Sequence, residues 1–378
     1  DAPTTVHWHG LRITDQMDGS PMVMSPIAAG AAFTYDFVVP DSGTYWYHTH
    51  YHQIEQFERG LYGALVVHEA RAPVFSAERV VVIDDIRLDA DNQVAPFQNS
   101  GPDVGAGRVG NLLLANGRKA PAVANIPRGA IERWRVVSAT NALGFGLRVR
   151  GGVVRVIATD GGIVPAPWTL TRVEIASGQR YDLEVRPEPG AVEVVLEALI
   201  FVTNSAGQVV ESPFPLLRAS VAGEVTAQEP VYPTVVLPSV DATPTRHLTW
   251  ELSGLSDNGV VRFTINGQST YVGEGEHVTL DTFTPGEPVA ITLSADVSPA
   301  HPFHIHGQFF QILARNGVPV TDEPGYRDTV EIRGRDKVTI LGRFENPGQW
   351  MVHCHISEHS ERGMMADILV GDVPAHGH

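Results

Sequence analysis

The feature that most restricts the fold is a succession of short apolar stretches, rich in β-branched and aromatic residues, interrupted by Gly, Pro, Asn and Asp. Examples are 31–39, 80–84, 153–158, 181–185 and 289–293. Stretches of this length and composition are typical of β-strands. The 37 Gly and 27 Pro leave little room for long helices. Strands at this density pack as sandwiches or barrels, so the sequence predicts an all-β protein.

The length indicates several domains, because 378 residues exceed what a single hydrophobic core usually organises. A predicted strand at 61–68 ends in Glu-Ala-Arg-Ala-Pro, and 219–246 is rich in Pro, Thr, Glu and Ser, as linkers are. We therefore predict a first domain at 1–72, a second at 73–222, and a linker with a third domain at 223–378. The second domain holds no histidine, and we expect it to be architectural.

Composition excludes several classes of function. Hydrophobic residues at 43% and charged residues at 19% indicate a globular rather than a disordered protein. The net charge of −16 disfavours nucleic acid or an anionic membrane as partner, because phosphate binding needs clustered Lys and Arg. No stretch approaches the roughly 18 consecutive apolar residues of a membrane helix. Cys354 is the only cysteine, which excludes an internal disulfide.

Histidines recur in His-X-His pairs. Sixteen scattered histidines would give roughly 0.7 such pairs by chance. The observed pairs are His7/His9, His48/His50, His50/His52, His304/His306, His353/His355 and His376/His378. On a strand, residues two apart lie on one face about 6.5–7 Å from each other, so a pair can share a metal or hold two neighbouring metals. Imidazole binds Cu, Zn, Fe and Ni, so the pairs alone do not choose the metal.

The segment around Cys354 favours copper. Strand alternation sends its two histidine neighbours to one face and the thiolate to the other. His359 and Met364 follow, and His301 lies upstream. Two histidines, one cysteine and a weak axial methionine form the blue-copper site used for electron transfer. Cys354 would then connect one copper to others held by its neighbours.

A single His-X-His pair, Met or buried Cys is more often packing than a ligand. We interpret His68, His247 and His277 in that way. His52 stays open, and the pair at the extreme C-terminus is as consistent with a tail as with a site.

Four motifs carry a resemblance to a known family. They read His-Trp-His-Gly at 7–10, Trp-Tyr-His-Thr-His at 46–50, His-Pro-Phe-His-Ile-His-Gly at 301–307 and His-Cys-His-Ile-Ser-Glu-His-Ser-Glu-Arg-Gly-Met-Met at 353–365. Asp-Gly-Ser-Pro at 18–21 and Asp-Gly-Gly at 160–162 extend it over nearly the whole chain. This set resembles the multicopper oxidases, which include laccases, ascorbate oxidase, bilirubin oxidase and bacterial cuprous oxidases. The resemblance implies three consecutive cupredoxin-like Greek-key β-sandwich domains.

The resemblance also implies four copper ions, one of type 1, one of type 2 and two of type 3. The implied type 1 ligands are His301, Cys354, His359 and Met364. The implied type 2 ligands are His7 and His304. The implied type 3 ligands are His9, His48 and His355 for one copper and His50, His306 and His353 for the other. Asp18 matches an acidic residue that helps to deliver protons to oxygen. We expect Asp18, His353, Cys354 and His355 to take part in the reaction itself.

Four points of comparison with the family pattern shape our expectations. The first motif begins at His7, so we expect that the sequence lacks part of its first domain together with any targeting segment. Some bacterial relatives carry Glu directly after the second type 1 histidine, where this chain has Ser360 followed by Glu361, so the acid of that proton path is open. The 6 Met form no run like that of cuprous oxidases. The axial Met364 implies a low-to-intermediate redox potential.

We therefore predict a laccase-like enzyme. A phenol or aromatic amine would dock near the exposed edge of His301 or His359. Its electrons would pass through Cys354 to the neighbouring histidines, and O2 would be reduced to water with help from Asp18. The alternatives are a cuprous or other metal-ion oxidase, a copper nitrite reductase, an electron carrier, a zinc hydrolase and a non-catalytic cupredoxin scaffold. We expect a monomer in the periplasm or outside the cell.

Overall fold

The structure is a computed structural model that describes residues 2–98, 101–203, 206–235, 243–257, 260–271, 277–296 and 300–373. These residues form twenty-five β-strands, three α-helices of at most six residues and one 3-10 helix, which confirms the predicted all-β class. The strand expected at 31–39 is wrong, because that stretch pairs with no strand among the described residues. The other four stretches lie inside strands. Within these ranges, no helix combines the length and the hydropathy that crossing a membrane requires.

The first segment, up to Val67, carries few regular elements. They are the 3-10 helix at Asp15–Met17, β1 at Gly43–His48, α1 at Gln53–Glu58 and β2 at Tyr62–Val67. β1 pairs antiparallel with β2, with Gly43 opposite Val67 and His48 opposite Tyr62. The main chains of His7 and His48 exchange two hydrogen bonds, of 2.8 and 3.1 Å. The first two histidine motifs therefore lie side by side.

The middle segment folds as two facing sheets. Its elements are β3 at Ala77–Ile86, α2 at Pro102–Ala106, β4 at Leu112–Ala115, β5 at Arg118–Lys119, β6 at Ala122–Arg128, β7 at Glu132–Ser138, β8 at Phe145–Arg150, β9 at Gly152–Thr159, β10 at Gly162–Thr169, β11 at Val173–Ile175, β12 at Arg180–Pro187, β13 at Glu193–Thr203 and β14 at Val209–Glu224. One sheet has the order β10-β9-β12-β7-β3-β4-β5 and the other β11-β8-β13-β14-β6. Trp134, Leu147, Val156, Leu183 and Leu196 belong to the buried core of this segment.

The last segment also has two sheets. Its elements are β15 at Arg246–Asp257, β16 at Val260–Ile265, β17 at Thr279–Phe283, β18 at Val289–Ala295, β19 at His301–Ile305, β20 at Phe310–Arg315, β21 at Val318–Pro319, β22 at Thr329–Ile332, β23 at Lys337–Gly342, β24 at Gly348–Cys354, α3 at Ser357–Ser360 and β25 at Met365–Val370. The orders are β16-β15-β18-β23-β20-β21 and β17-β25-β24-β19-β22. Cys354 and Met364 lie in this segment's core with Phe303 and Trp350. The exact domain limits stay a prediction.

Asn-Gly pairs make several of the tight turns. Residues 116–117 join β4 to β5, and residues 316–317 join β20 to β21. In the first pair the φ angles are 53° and 67°, and in the second they are 53° and 79°. Positive φ at both positions defines the turn whose twist matches that of the flanking strands, and Asn and Gly adopt it most readily.

The first segment packs against both of the others. The Thr44 hydroxyl in β1 donates a 2.7 Å hydrogen bond to Asp182 in β12. The carboxylate of Asp15 accepts a 2.9 Å hydrogen bond from the Gln349 main chain in β24. All three segments therefore meet along β1 and β24, the strands that lead into two of the histidine motifs.

Candidate metal centres

Eight histidine side chains meet at this junction. They are His7, His9, His48, His50, His304, His306, His353 and His355. Each is at most 6% exposed. At the end of β24, side chains alternate between the two faces of the strand. The histidines on both sides of Cys354 therefore point toward the junction, and its thiol points into the core of the last segment.

The eight side chains form groups whose potential ligand atoms all lie within 4.8 Å of one another. One group is His9, His48 and His355, and another is His50, His306 and His353. Both coincide with the sets that the resemblance implied for type 3 copper. His7 and His304, the implied type 2 ligands, form a further group with His9. The structure thus brings together every histidine expected at a three-metal cluster.

One ring nitrogen of each histidine is held by the protein. Nδ1 of four of them lies 2.8–2.9 Å from a main-chain carbonyl oxygen, to which it donates; these are His7, His48, His304 and His353. The remaining contacts use side chains. They are His306 Nδ1 to Asp18 at 2.7 Å, His355 Nδ1 to Ser177 at 2.8 Å and His9 Nε2 to Asp328 at 3.2 Å. At His50 the direction is reversed, because the amide nitrogen of Gln53 donates to Nδ1 at 2.5 Å.

The opposite ring nitrogens face inward. Nε2 of His7, His48, His304 and His355 and Nδ1 of His9 are buried without a hydrogen-bond partner. Nε2 of His353 lies 3.1 Å from that of His306 and 3.3 Å from that of His50. Buried nitrogens without partners are costly, whereas a histidine that donates from one nitrogen and points the other at its neighbours is the arrangement of a metal ligand. Seven of the eight have this arrangement, and Nε2 of His50 also faces its neighbours, so the set fits metal ions.

Burial favours the neutral form of seven of these imidazoles. It lowers the pKa of His9, His48, His50, His304, His306 and His355 well below the usual value, with a further lowering from neighbouring histidines. It lowers the pKa of His353 to about 4. A neutral imidazole is the form that binds a metal, so the cluster is ready for binding at neutral pH.

A second set of ligands lies on the opposite side of Cys354. Its Sγ is 3.6 Å from Nδ1 of both His301 and His359, and these two nitrogens are 3.2 Å apart. All three side chains are closed to solvent. Burial raises the pKa of the Cys354 thiol. Met364, the implied axial ligand, lies in the same core, and its carbonyl accepts a 3.1 Å hydrogen bond from the Cys354 N–H.

The exposed histidine edge expected at this second set is absent. His301 and His359 are both 0% exposed, and α2 of the middle segment packs against α3, the helix that carries His359. His359 Nε2 donates to the Gly105 carbonyl of α2 at 3.3 Å, and Phe263 packs on its ring at 4.1 Å between centroids. A donor must therefore exchange electrons through this covering layer.

Asp18 contacts two histidines of the cluster. Its Oδ2 accepts from His306 Nδ1 at 2.7 Å, and its main-chain oxygen accepts from His7 Nδ1 at 2.9 Å. Gly19 allows this placement, because its φ is +82° and a Cβ there would lie 1.9 Å from the Val6 carbonyl oxygen. Asp18 is itself 1% exposed, so its carboxylate is enclosed beside the histidines.

Several residues at the cluster were missed by sequence reasoning. Ser177 and Arg180 come from the middle segment, which was expected to be only architectural, and Asp328 and Gln53 were not singled out. Their contacts join residues as far as 319 positions apart, as between His9 and Asp328. A buried Arg or Asp without a local motif gives no sequence signal, so only the fold reveals them.

The other histidines lie outside both sets. His68 and His247 are exposed, and His277 lies 3.4 Å from Asp367. His52 is exposed and has a left-handed conformation, with φ 49°, at the start of α1. The pair His376/His378 lies outside the described residues.

Comparison with known proteins agrees with this geometry. Three family models, each described as a multicopper oxidase, match residues 1–72, 82–191 and 244–373. Fold and site together define a copper-dependent oxidoreductase that uses O2 as electron acceptor. The chain belongs to the multicopper oxidase family, and its electrons come from a small-molecule substrate.

Similar proteins include bacterial and fungal enzymes. A multicopper oxidase of Mycobacterium tuberculosis is 28% identical, with 96% of this chain and 76% of the relative covered. A laccase of Trametes versicolor is 28% identical, with coverage of 98% and 79%. The structure of a Campylobacter jejuni multicopper oxidase, described as a metallo-oxidase, is 25% identical with a TM-score of 0.80, and the match covers 98% of this chain and 81% of that one.

Proposed function

We propose that this enzyme is laccase-like and couples one-electron oxidation of a phenol or aromatic amine to four-electron reduction of O2 to water. The observation that supports this most is the place of Cys354. Its thiol belongs to one set of metal-binding groups, while its chain neighbours His353 and His355 belong to the other. A single peptide segment therefore joins an electron-entry site to an oxygen-reducing site.

We assign four copper ions to these groups. Type 1 copper takes His301, Cys354, His359 and Met364. Type 2 copper takes His7 and His304. The two type 3 ions take His9, His48 and His355, and His50, His306 and His353. When bound, these ions supply one-electron redox chemistry at the first set and O2 reduction at the others.

The protein shortens the path between the two sites. His353 Nδ1 donates a 2.8 Å hydrogen bond to the carbonyl oxygen of Cys354. This bond adds a second link, parallel to the covalent one, between the thiolate residue and a ligand of the three-copper cluster. Both sites are buried, so bulky donors are kept away from partly reduced oxygen.

An apolar cavity near the covering layer favours an organic donor. It has a volume of about 430 Å³ and is lined mainly by apolar side chains, among them Val109, Leu113, Leu143 and Phe214. Val109 follows Gly107 by two positions, and the backbone at Gly107 lies so close to Ile356 that a Cβ would approach that side chain to 2.7 Å. A residue that lines the cavity is therefore two positions from a contact with the segment that carries His359. Leu143→Trp, which would fill it, should raise KM for a phenol and leave turnover with ferrocyanide unchanged.

The metal-ion oxidase alternative has less support here. Asp103 on α2 pairs with Arg87 at 2.6 Å, and Glu358 on α3 accepts from Asn141 at 2.8 Å, so the carboxylates of α2 and α3 are both engaged. Met22, Met351 and Met365 form a cluster, but each is at most 2% exposed. The non-catalytic scaffold alternative would predict missing ligands, whereas every implied ligand position is filled.

Absorption spectra of the copper-loaded protein test the assignment. Type 1 and type 3 copper should give a band at about 600 nm and a shoulder at about 330 nm, both lost with dithionite. Cys354→Ser should lose the first band and oxidase turnover without a change in far-UV circular dichroism. His247→Gln, at an exposed histidine, is the control and should keep both absorption features, the oxidase turnover and the circular dichroism spectrum. Full turnover in Cys354→Ser would contradict the proposal, and a higher kcat/KM for Cu(I) than for phenols would favour the metal-ion oxidase.

The location and the oligomeric state are further proposals. We propose a periplasmic or extracellular enzyme on family resemblance alone, and a monomer as the simplest state. Cell fractionation tests the first, and size-exclusion chromatography with light scattering tests the second. A cytoplasmic activity or a stable dimer would contradict them.

A further inference from the structure

The turn between β11 and β12, residues 176–179, lies against two ligands of one copper position. The Ser177 hydroxyl lies 2.8 Å from His355 Nδ1 and also donates to the Thr140 carbonyl oxygen. A hydroxyl has one proton to donate. Since Thr140 receives it, Ser177 accepts from His355 Nδ1–H. The proton of His355 is therefore held on Nδ1, and its Nε2 is unprotonated and faces the cluster.

Arg180, directly after this turn, acts on His9 through Asp328. Its guanidinium binds both carboxylate oxygens of Asp328, at 2.6 and 2.8 Å. Its remaining N–H groups donate to the carbonyls of Thr44, Asp160 and Gly178 at 2.9–3.0 Å. All five donors are therefore used, which fixes the guanidinium and, with it, the carboxylate.

His9 needs this carboxylate because its orientation is inverted. The other seven histidines of the cluster present Nε2 inward, whereas His9 presents Nδ1. Its Nε2 lies 3.2 Å from Asp328 Oδ1, and the Thr329 hydroxyl gives its proton to the same oxygen at 2.8 Å. An ionised carboxylate can only accept, so it holds the proton of His9 on Nε2 and leaves Nδ1 bare.

The backbone of the turn contacts both rings as well. A Cβ on Gly178 would lie 3.1 Å from Cε1 of His9 and 3.2 Å from Cδ2 of His355, and its φ is +84°. The glycine therefore brings the main chain into contact with both imidazoles, where a larger residue would displace them. Two of the three ligands in the group His9, His48 and His355 rest on this single turn.

We propose that residues 177–180 of the middle segment, which supplies no ligand, set copper occupancy at the His9–His48–His355 position. Ser177 and Arg180 are positioning residues: the first holds the tautomer of His355 directly, and the second holds that of His9 through Asp328. Partners of this kind typically change metal affinity about 10–100-fold. The inference rests on the proposed copper assignment and adds to it a role for the middle segment.

Two variants and two matched controls test the inference in the copper-loaded enzyme. The variants are Ser177→Ala and Arg180→Lys. Ser138→Ala is a control because Ser138 is a buried serine that contacts Thr140 at 3.1 Å and no cluster histidine in the described contacts. Arg133→Lys is a control because Arg133 is equally buried and ion-paired, with Glu69 and Asp182.

Copper content and spectra are measured during titration with a chelator. We expect both variants to lose copper at about 10–100-fold lower chelator concentration and to lose the shoulder at about 330 nm, while the band at about 600 nm remains. Both controls should behave as the wild type. Unchanged retention in both variants, or equal loss of both features, would overturn the inference. A wild type without either feature would instead overturn the copper assignment and, with it, this inference.

Discussion

Replacement of Asp18 by Asn is the sharpest test of oxygen chemistry at the cluster. Asn has nearly the same shape, and the change leaves the hydrogen bond that the Asp18 main-chain oxygen accepts from His7 Nδ1 in place. What is lost is the negative charge that accepts from His306 Nδ1 at 2.7 Å, together with a group able to hold and release a proton inside a site 1% exposed.

The change from Asp18 to Asn affects metal binding and proton delivery by different amounts. A hydrogen bond to a charged group contributes about 1.5–3 kcal/mol and a neutral one about 0.5–1.5, so the exchange costs about 1–1.5 kcal/mol. That equals about a tenfold weaker hold on the metal at His306, since 1.4 kcal/mol is a factor of ten. Loss of a positioned proton donor lowers a rate by about 10²–10⁴-fold. The proton effect exceeds the binding effect, so the variant should retain copper and react slowly with O2.

Stopped-flow absorption separates the two half-reactions. Anaerobic mixing with a phenol should bleach the band at about 600 nm at the wild-type rate, because Asp18 contacts His306 and His7 of the eight-histidine cluster and not the group around Cys354. Mixing the reduced enzyme with O2 should then restore the spectrum about 10²–10⁴-fold more slowly. Asp41→Asn is the control, because its carboxylate pairs with Arg12 at 2.6 Å. Equal slowing of both half-reactions, or of neither, would refute the proton role.

Three further predictions concern stability. Phe303→Ala, at a fully buried core position opposite Cys354, should lower the free energy of unfolding, measured with urea, by about 3–5 kcal/mol. A loss below about 1 kcal/mol would mean that this core is not tightly packed. Burial raises the pKa of Asp85 to about 7, so the folded state holds a proton that the unfolded chain releases, and stability should fall as pH rises from about 4 to about 7. Asp85→Asn should reduce this loss of stability with pH, as measured by thermal melts. The same dependence of melting temperature on pH in the variant and the wild type would contradict the prediction. Removal of copper by a chelator should lower the melting temperature, because the metal binds only the folded state; identical calorimetric scans would argue against bound metal.

The ligands could be predicted from the sequence because their spacing follows strand geometry. Side chains on a strand alternate between its two faces. His304 and His306 therefore lie on one face, and Cys354 lies on the face opposite its neighbours, independently of the conformation of the surrounding loops. The same local rule explains why β9, β12 and β18 were foreseen. It failed at 31–39, where the apolar pattern is present but no neighbouring strand is described to pair with it. Local pattern predicts the ability to form a strand, whereas pairing depends on residues far away.

The covering of His359 was not predictable for the same reason. α2 has only five residues, and Pro-Asp-Val-Gly-Ala carries no motif that assigns it to a copper site. Its position follows from how the middle segment packs on the last one. The expectation of an exposed histidine edge was therefore wrong, although the prediction of the ligand set did not depend on it.

Ligand motifs and copper occupancy are separate properties of this chain. Each histidine must present the correct ring nitrogen, and that choice is made by the group on its other side. Four histidines use main-chain carbonyls, which any sequence supplies once the fold is formed. His9 and His355 instead depend on Asp328, Arg180 and Ser177, side chains that a substitution can remove without touching a motif. Two chains with identical motifs would then differ in copper retention, and where Arg180 or Ser177 is the residue that differs, the cause would lie in the segment that contains no histidine.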